Sequence, residues 1–217
     1  MPSTPPPNWL DAPALSESVR ALARRGEIFE FPKGALLIRE GVVGDTLYIV
    51  LHGRLRVFSS QASSERKLTI GTYGVGEYVG EMGLDGEPRS ASVVTLEPTV
   101  CAMVTRRTLE AHLAENPQFA FELLAKVIRR ARAATLSAKQ MALNDVYGRL
   151  KLLLDAAAVL QPDGTRVVAH QTQHEMAEQI GCSREMVTRL LKDLHAGACI
   201  VEVKGALQLL KPLPARW

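Results

Sequence analysis

Residues 172–194 read TQHEMAEQIGCSREMVTRLLKDL, and the fold of the C-terminal part turns on them. Thr172 followed three positions later by Glu175 is a capping box, in which side chains and backbone amides satisfy each other at a helix start. The helix is predicted to run to Ile180. Gly181 then supplies a sharp turn, and Ser183 caps a second helix that runs to about His195. Ala177 is small where two helices cross closely, and Ile180, Val187 and Leu190 fall where they fill the space between them. This is the pattern of a helix-turn-helix, with Cys182 expected in its core. Arg184, Glu185 and Arg189 project from the first turns of the second helix. Arginine forks onto guanine O6 and N7, and glutamate accepts from cytosine N4, so this helix end is fitted to a major groove. Glu185 has little use against bare phosphate, which favours sequence reading; its alternative use is as a charge on the helix dipole. Gln173, Thr188, Lys192 and Lys204 are candidate phosphate contacts, and Ser183 completes the candidate DNA-binding set. Cys199–Val203 and Ala206–Leu210 flank Lys204-Gly205 as a hairpin, which makes the unit winged.

Upstream, Gln161-Pro162-Asp163-Gly164 reads as a turn. Before it a helix is predicted over Val146–Leu160, capped by Asn144 or Asp145, with Val146, Leu150, Leu153, Leu154 and Ala157 on one face. From Gln118 to Leu143 there is neither Gly nor Pro. That stretch predicts one helix about 40 Å long at ~1.5 Å per residue. Phe121, Leu124, Ile128, Ala131, Thr135, Ala138 and Ala142 recur at alternating steps of three and four, the seam of a two-stranded coiled coil. A second stripe of Leu123, Val127 and Leu136 is placed on the chain's own β domain. An intradomain helix with a broad apolar face is the alternative; the small seam residues favour a homodimer through 117–143.

Between Glu27 and Thr105 short runs are broken by glycines. Ala35–Ile38, Thr46–His52, Arg54–Ser59, Lys67–Tyr73, Ala91–Thr95 and Val100–Thr105 read as strands, with a helix over Ala14–Arg24 before them. Many short strands at even spacing predict a β-sandwich or jelly roll. Inside it lies Gly80-Glu81-Met82-Gly83-Leu84, then Pro88-Arg89-Ser90-Ala91, with Arg89 expected to open a strand. A guanidinium and a serine at the mouth of a barrel can hold a cyclic phosphodiester. Amides of Gly83 and Leu84 would add donors if they start a helical turn. Glu81 can accept from a ribose 2′-hydroxyl. A structural Glu81–Arg89 ion pair is the alternative reading.

Composition sets the frame. The chain has 217 residues, which predicts two domains joined by a connector. Residues 1–115 hold 12 basic and 14 acidic side chains, whereas residues 116–217 hold 14 basic and 9 acidic ones, so only the second half carries the charge of a polyanion binder. The three cysteines, Cys101, Cys182 and Cys199, have no metal-ligand spacing, which argues against a metal site and for a reduced compartment. No apolar run spans a membrane and no export signal opens the chain, so a cytoplasmic protein is expected. No Ser-His-Asp arrangement or phosphate-binding loop marks an enzyme, and no cofactor is expected. His52 and His112 sit in no recognisable haem site.

These segments together resemble the cyclic-AMP receptor protein (catabolite activator) family of the Crp–Fnr group. The likeness runs from about Gly26 to Leu210, and its most specific stretches are GEMGL and PRSA at 80–91, NDVYGRL at 144–150 and IGCSREMVTRLLKDL at 180–194. The resemblance implies an α+β architecture: a flexible Pro-rich tail (1–13), a cyclic-nucleotide-binding β-roll (14–116), a dimerisation helix (117–143) and a winged helix-turn-helix (144–217). It implies ribose at Glu81 and phosphate at Arg89 and Ser90. The full candidate ligand set is Gly80, Glu81, Met82, Arg89, Ser90 and Ala91, with Arg130 and Thr135 from the long helix. Bases would be read by Arg184, Glu185 and Arg189, with a TGTGA-like half-site, and RNA polymerase would be a partner through a patch such as Gln161–Arg166. Two departures stand out. The loop Asp85–Pro88 is short, and Ala134-Thr135 replaces the Thr-Ser pair that the family offers to adenine. Cyclic di-GMP or cyclic GMP sensing, or ligand-independent DNA binding, are the alternatives within the same fold.

Overall fold

A computed structural model describes residues 8–60 and 67–216; the expected tail Met1–Pro7 lies outside them. The chain divides into two compact units, Met1–Ser59 with Thr69–Arg130, and Ser60–Leu68 with Ala131–Trp217.

The first unit is built on two four-stranded sheets. One has the order β1(Glu27–Phe31), β8(Thr99–Thr105), β3(Thr46–His52), β6(Tyr78–Val79); the other runs β2(Leu36–Ile38), β7(Ser92–Thr95), β4(Leu55–Ser60), β5(Lys67–Tyr73). β3 and β8 pair antiparallel at the centre of the first sheet, with Leu47 opposite Val104 and Ile49 opposite Ala102. Alternation along β3 sends Val50 between the sheets, where it joins Ile38, Leu55, Val79, Val93 and Cys101. Leu47, Ile49 and Leu51 face the other way, into a second core closed by Val19 and Leu22 of α1(Glu17–Ala23), Leu109 of α2(Arg106–Glu115) and Phe119. A central strand buried on both faces reads as a continuous apolar run, as β3 does. Burial pushes the Cys101 thiol up to about 12, so this cysteine stays protonated and inert.

Several expected boundaries move. Ser16 caps α1 by accepting from the Val19 amide, so the helix starts at Glu17 rather than Ala14. Of the expected tail over 1–13, the described part is packed: Trp9–Asp11 form a 3-10 turn, and the Trp9 ring lies 4.8 Å from that of His52. β1, β6 and α2 were not among the predicted elements. β7 begins at Ser92, so Arg89 does not open a strand; it precedes one by three residues.

The long helix α3 spans Gln118–Leu143 as predicted. Leu123 packs on the second core of the first unit. Val127 and Leu136, expected on the same β domain, are exposed instead, as are Phe121 (72 %), Leu124 and Ile128 of the seam. No helix among the described residues is long and apolar enough to cross a membrane.

In the second unit Asp145, rather than Asn144, caps α4(Val146–Ala157) by accepting from the Gly148 amide at 2.7 Å. The helix stops at Ala157, three residues early. Ala158–Leu160 form β9 and pair with β10(Arg166–Val168) across the predicted turn, closed by Gln161 N–H to Thr165 O at 2.7 Å. A β-branched residue followed by turn chemistry favours this hairpin over another helical turn. β10 also pairs with β12(Ala206–Leu209), which pairs with β11(Ile200–Val203), giving the wing sheet.

Candidate functional site

The glycine cassette folds around one guanidinium. Gly80 adopts φ +98°, a left-handed conformation that opens a 3-10 helix over Glu81–Asp85. Arg89 is 7 % exposed and reaches under this turn. It donates from Nη1 to Gly80 O at 2.6 Å, and from Nη2 to Thr46 O at 2.7 Å and Thr46 Oγ1 at 3.1 Å. A Cβ at Gly83 would stand 2.7 Å from Gly44 O and from Arg89 Nη1, and one at Gly80 2.6 Å from Thr46 O, so the cradle needs glycine at both positions. The backbone at Arg89 is pinned to the 41–43 loop: Gly41 N–H donates to Arg89 O at 2.8 Å, and Arg89 N–H to Val42 O at 3.0 Å. Desolvation pulls the Arg89 pKa down from its ordinary value, opposed by Tyr48, Asp45 and Glu81. Its hydrogen-bond acceptors among the described residues are all neutral oxygens. A buried cation without an anionic partner is costly, and a bound anion removes that cost.

The expected alternative, a Glu81–Arg89 ion pair, does not form. Glu81 Oε1 meets Arg130 Nη1 at 2.5 Å, and Arg130 Nη2 donates to Tyr78 O. Ser90 and Met82 are exposed side by side, with Ser90 Oγ 3.4 Å from Met82 Sδ, and Ala91 is buried behind them. Gly83 N–H is not a spare donor as expected: it already serves Gly80 O at 3.2 Å, closing the 3-10 turn. Thr135 belongs to the second unit, and its hydroxyl donates to Ala131 O of its own helix at 2.9 Å. Thus Gly80, Glu81, Arg89 and Arg130 come together, with Met82 and Ser90 beside them. Thr46, Tyr73, Tyr78 and Lys126 join this site although no motif marks them. The last is one turn before Arg130, a spacing that puts both cations on one helix face.

In the second unit the helix-turn-helix takes its expected form. α5(Gln173–Ile180) opens with the Thr172–Glu175 capping box, in which both reciprocal bonds are made. Gly181 adopts φ +67° and Cys182 N–H donates to Ala177 O at 3.1 Å, which turns the chain into α6(Arg184–Ala196). Ser183 caps α6 by accepting from Met186 N–H. Ala177, Ile180, Val187 and Leu190 are all buried; Cys182 is only partly buried and packs against them. Gln173, Arg184, Glu185, Thr188, Arg189 and Lys192 line one shallow hollow on the outer face. The Thr188 hydroxyl donates to Gln173 Oε1, tying the two helices together within that face. Lys204 lies in the β11–β12 turn at φ +51° and is exposed, but does not line the hollow. Arg149, which the sequence did not single out, donates from Nε to Ile180 O and from Nη1 to Asn144 O, both at 2.9 Å. It joins the start of α4 to the helix-turn-helix corner.

Comparison with known proteins agrees with this division of chemistry. Residues 28–116 match the cyclic nucleotide-binding domain, and residues 150–212 match the Crp-like helix-turn-helix domain. The chain is 31% identical over 196 residues to a CRP-like cAMP-activated global transcriptional regulator of Mycobacterium tuberculosis, covering 88% of this chain and 87% of the relative. It is 32% identical over 193 residues to the cAMP-activated global transcriptional regulator CRP of Haemophilus influenzae, covering 82% and 84%. The solved structure of the c-di-GMP responsive global regulator CLP of Xanthomonas campestris covers 89% of this chain and 98% of its own, with a TM-score of 0.78 and 23% identity, a likeness of fold. With a nucleotide-binding domain and a helix-turn-helix on one chain, and relatives of this similarity along most of its length, the protein belongs to the Crp-like family of DNA-binding transcription regulators.

Proposed function

We propose that the protein is a homodimeric regulator, not an enzyme, that binds cyclic AMP in the β-roll and then reads TGTGA-like half-sites on double-stranded DNA. The observation that carries the sensor half is Arg89, a buried guanidinium among neutral acceptors. A cyclic phosphodiester supplies the missing negative charge, with Ser90 as a further donor, and Glu81 accepts from the ribose. Gly80, Met82 and Ala91 shape the site, and Arg130 brings the long helix to the ligand, with Thr135 the hydroxyl expected further along it. On this assignment residues 14–116 bind nucleotide, 117–143 dimerise and 144–217 bind DNA.

On the duplex, Arg184, Glu185 and Arg189 read bases, each good bidentate contact being worth ~1–3 kcal/mol of discrimination. Gln173, Thr188, Lys192 and Lys204 hold phosphates, with Ser183 at the cap of α6 completing the DNA-binding set. Ligand selects one arrangement of the two α3 helices in the dimer, and that sets recognition helices about 34–36 Å apart, one turn of B-DNA. RNA polymerase is the downstream partner, and the cytoplasm the setting.

A second reading keeps the fold and changes the ligand. Ala134 offers no hydroxyl beside Thr135, and a fold neighbour is c-di-GMP responsive, so cyclic di-GMP and cyclic GMP stand as alternatives. Calorimetry of the full-length protein with the three nucleotides separates them. Cyclic AMP is expected to bind tightest, and Arg89→Leu to weaken it by about 10- to 100-fold, the worth of a charged hydrogen-bond pair. Unchanged affinity in Arg89→Leu overturns the pocket assignment; no binding of any of the three leaves a ligand-independent DNA-binding regulator.

A further inference from the structure

Helix α3 sends two cations into the first unit one turn apart. Lys126 places Nζ 4.1 Å from the centre of the Tyr78 ring and donates to Gly76 O at 3.0 Å. Arg130 places Cζ 4.3 Å from the centre of the Tyr73 ring and 5.6 Å from that of Tyr78. The same guanidinium pairs with Glu81 and donates to Tyr78 O. The guanidinium carbon therefore lies over the Tyr73 ring while its nitrogens meet a carboxylate and a carbonyl. Both partners of the ion pair are largely shielded, with side-chain exposures of 22% and 10%. Cation–π attraction strengthens under that shielding, because water no longer competes for the cation.

We infer that Tyr73 is a positioning residue for nucleotide binding: its ring fixes the plane of the Arg130 guanidinium, which fixes the carboxylate of Glu81 toward the sugar. This rests on the cyclic-nucleotide reading of the cassette given above. Without the ring, a long arginine side chain regains its torsional freedom, and the carboxylate it holds regains rotation, so both must be ordered again when ligand arrives. Burial raises the Tyr73 pKa, with Arg130 opposing, so the phenol is neutral at physiological pH. The work is done by the face of the ring, and the hydroxyl is dispensable.

The test is calorimetry of full-length protein with cyclic AMP and with 2′-deoxy cyclic AMP, which lacks the hydroxyl that Glu81 accepts. Tyr73→Leu is expected to raise Kd for cyclic AMP about five-fold, the scale of one modest cation–π contact. The same substitution is expected to change Kd for the deoxy analogue less than two-fold. Tyr73→Phe is expected to restore the wild-type value for cyclic AMP. If Tyr73→Leu fails to fold, Tyr73→Met takes its place, keeping volume without a ring. Equal losses for both nucleotides, or a Phe variant as weak as the Leu one, overturn the positioning role while the pocket reading stands. Wild-type protein that binds neither nucleotide overturns the pocket reading, and this inference with it.

Discussion

Arg89 and His112 are both buried nitrogen bases in the first unit, and they meet burial in opposite ways. Arg89 keeps its charge, because the guanidinium proton is held too tightly to lose, and it surrounds itself with carbonyl oxygens. His112 is 1% exposed, neither ring nitrogen has a hydrogen-bond partner among the described residues, and its ring meets Phe119 edge-on at 5.2 Å. Burial lowers its pKa from 6.5, the nearby Arg25 guanidinium lowers it further, and Glu115 opposes. In the unfolded chain the imidazole takes up a proton near pH ~6.5. Between that pH and the lower folded value the unfolded chain binds more protons, so stability rises with pH in that window. The stabilisation is complete above about pH 6.5 and is lost as pH falls toward the folded pKa. Thermal unfolding at pH 7.5 and 5.5 is expected to show a lower midpoint at the acid pH, and His112→Phe to flatten that drop. Equal pH slopes in the two proteins contradict the assignment.

At the scale of elements, α3 carries the most consequence. Its seam exposes Phe121, Leu124 and Ile128. Leu124→Glu is expected to convert the proposed dimer to monomer by placing like charges across a two-fold seam. Light scattering at micromolar concentration checks this; a dimer that survives the substitution moves the interface elsewhere. The same helix was legible to the residue in the sequence, because 26 positions without Gly or Pro leave little alternative. β3 and β5 also coincide with their expected bounds: β3 is an apolar run between Gly44 and Gly53, and Gly74 ends β5. Other elements were hidden for physical reasons. β1 has four exposed residues in five and so no apolar period, and β6 is two residues long. α4 ends early because Ala158–Leu160 gain strand partners that no local pattern announces. In the candidate site the motif residues Glu81 and Arg89 were found, but their partners were not. Thr46 lies 43 positions from Arg89 and Tyr73 57 from Arg130, and such contacts belong to tertiary packing, which one-dimensional spacing does not encode.

Across the whole molecule, charge and chemistry divide along the chain. The acidic first half holds a buried cation in a glycine cradle, and the basic second half presents two arginines and a glutamate on an exposed helix end. Neither arrangement is needed to stabilise a fold: an apolar residue would fill the cradle at less cost, and Glu185 on a basic face favours base reading over bare phosphate contact. On the function proposed above, ligand in the first controls the grip of the second. The direct measurement is fluorescence anisotropy of a labelled palindromic duplex with TGTGA half-sites, titrated with protein at fixed salt, without nucleotide and with saturating cyclic AMP. A coupling of ~1–3 kcal/mol predicts affinity tightened by about 5- to 150-fold, with a scrambled duplex bound weakly in both conditions. Identical affinity with and without cyclic AMP, cyclic GMP and cyclic di-GMP would contradict the account.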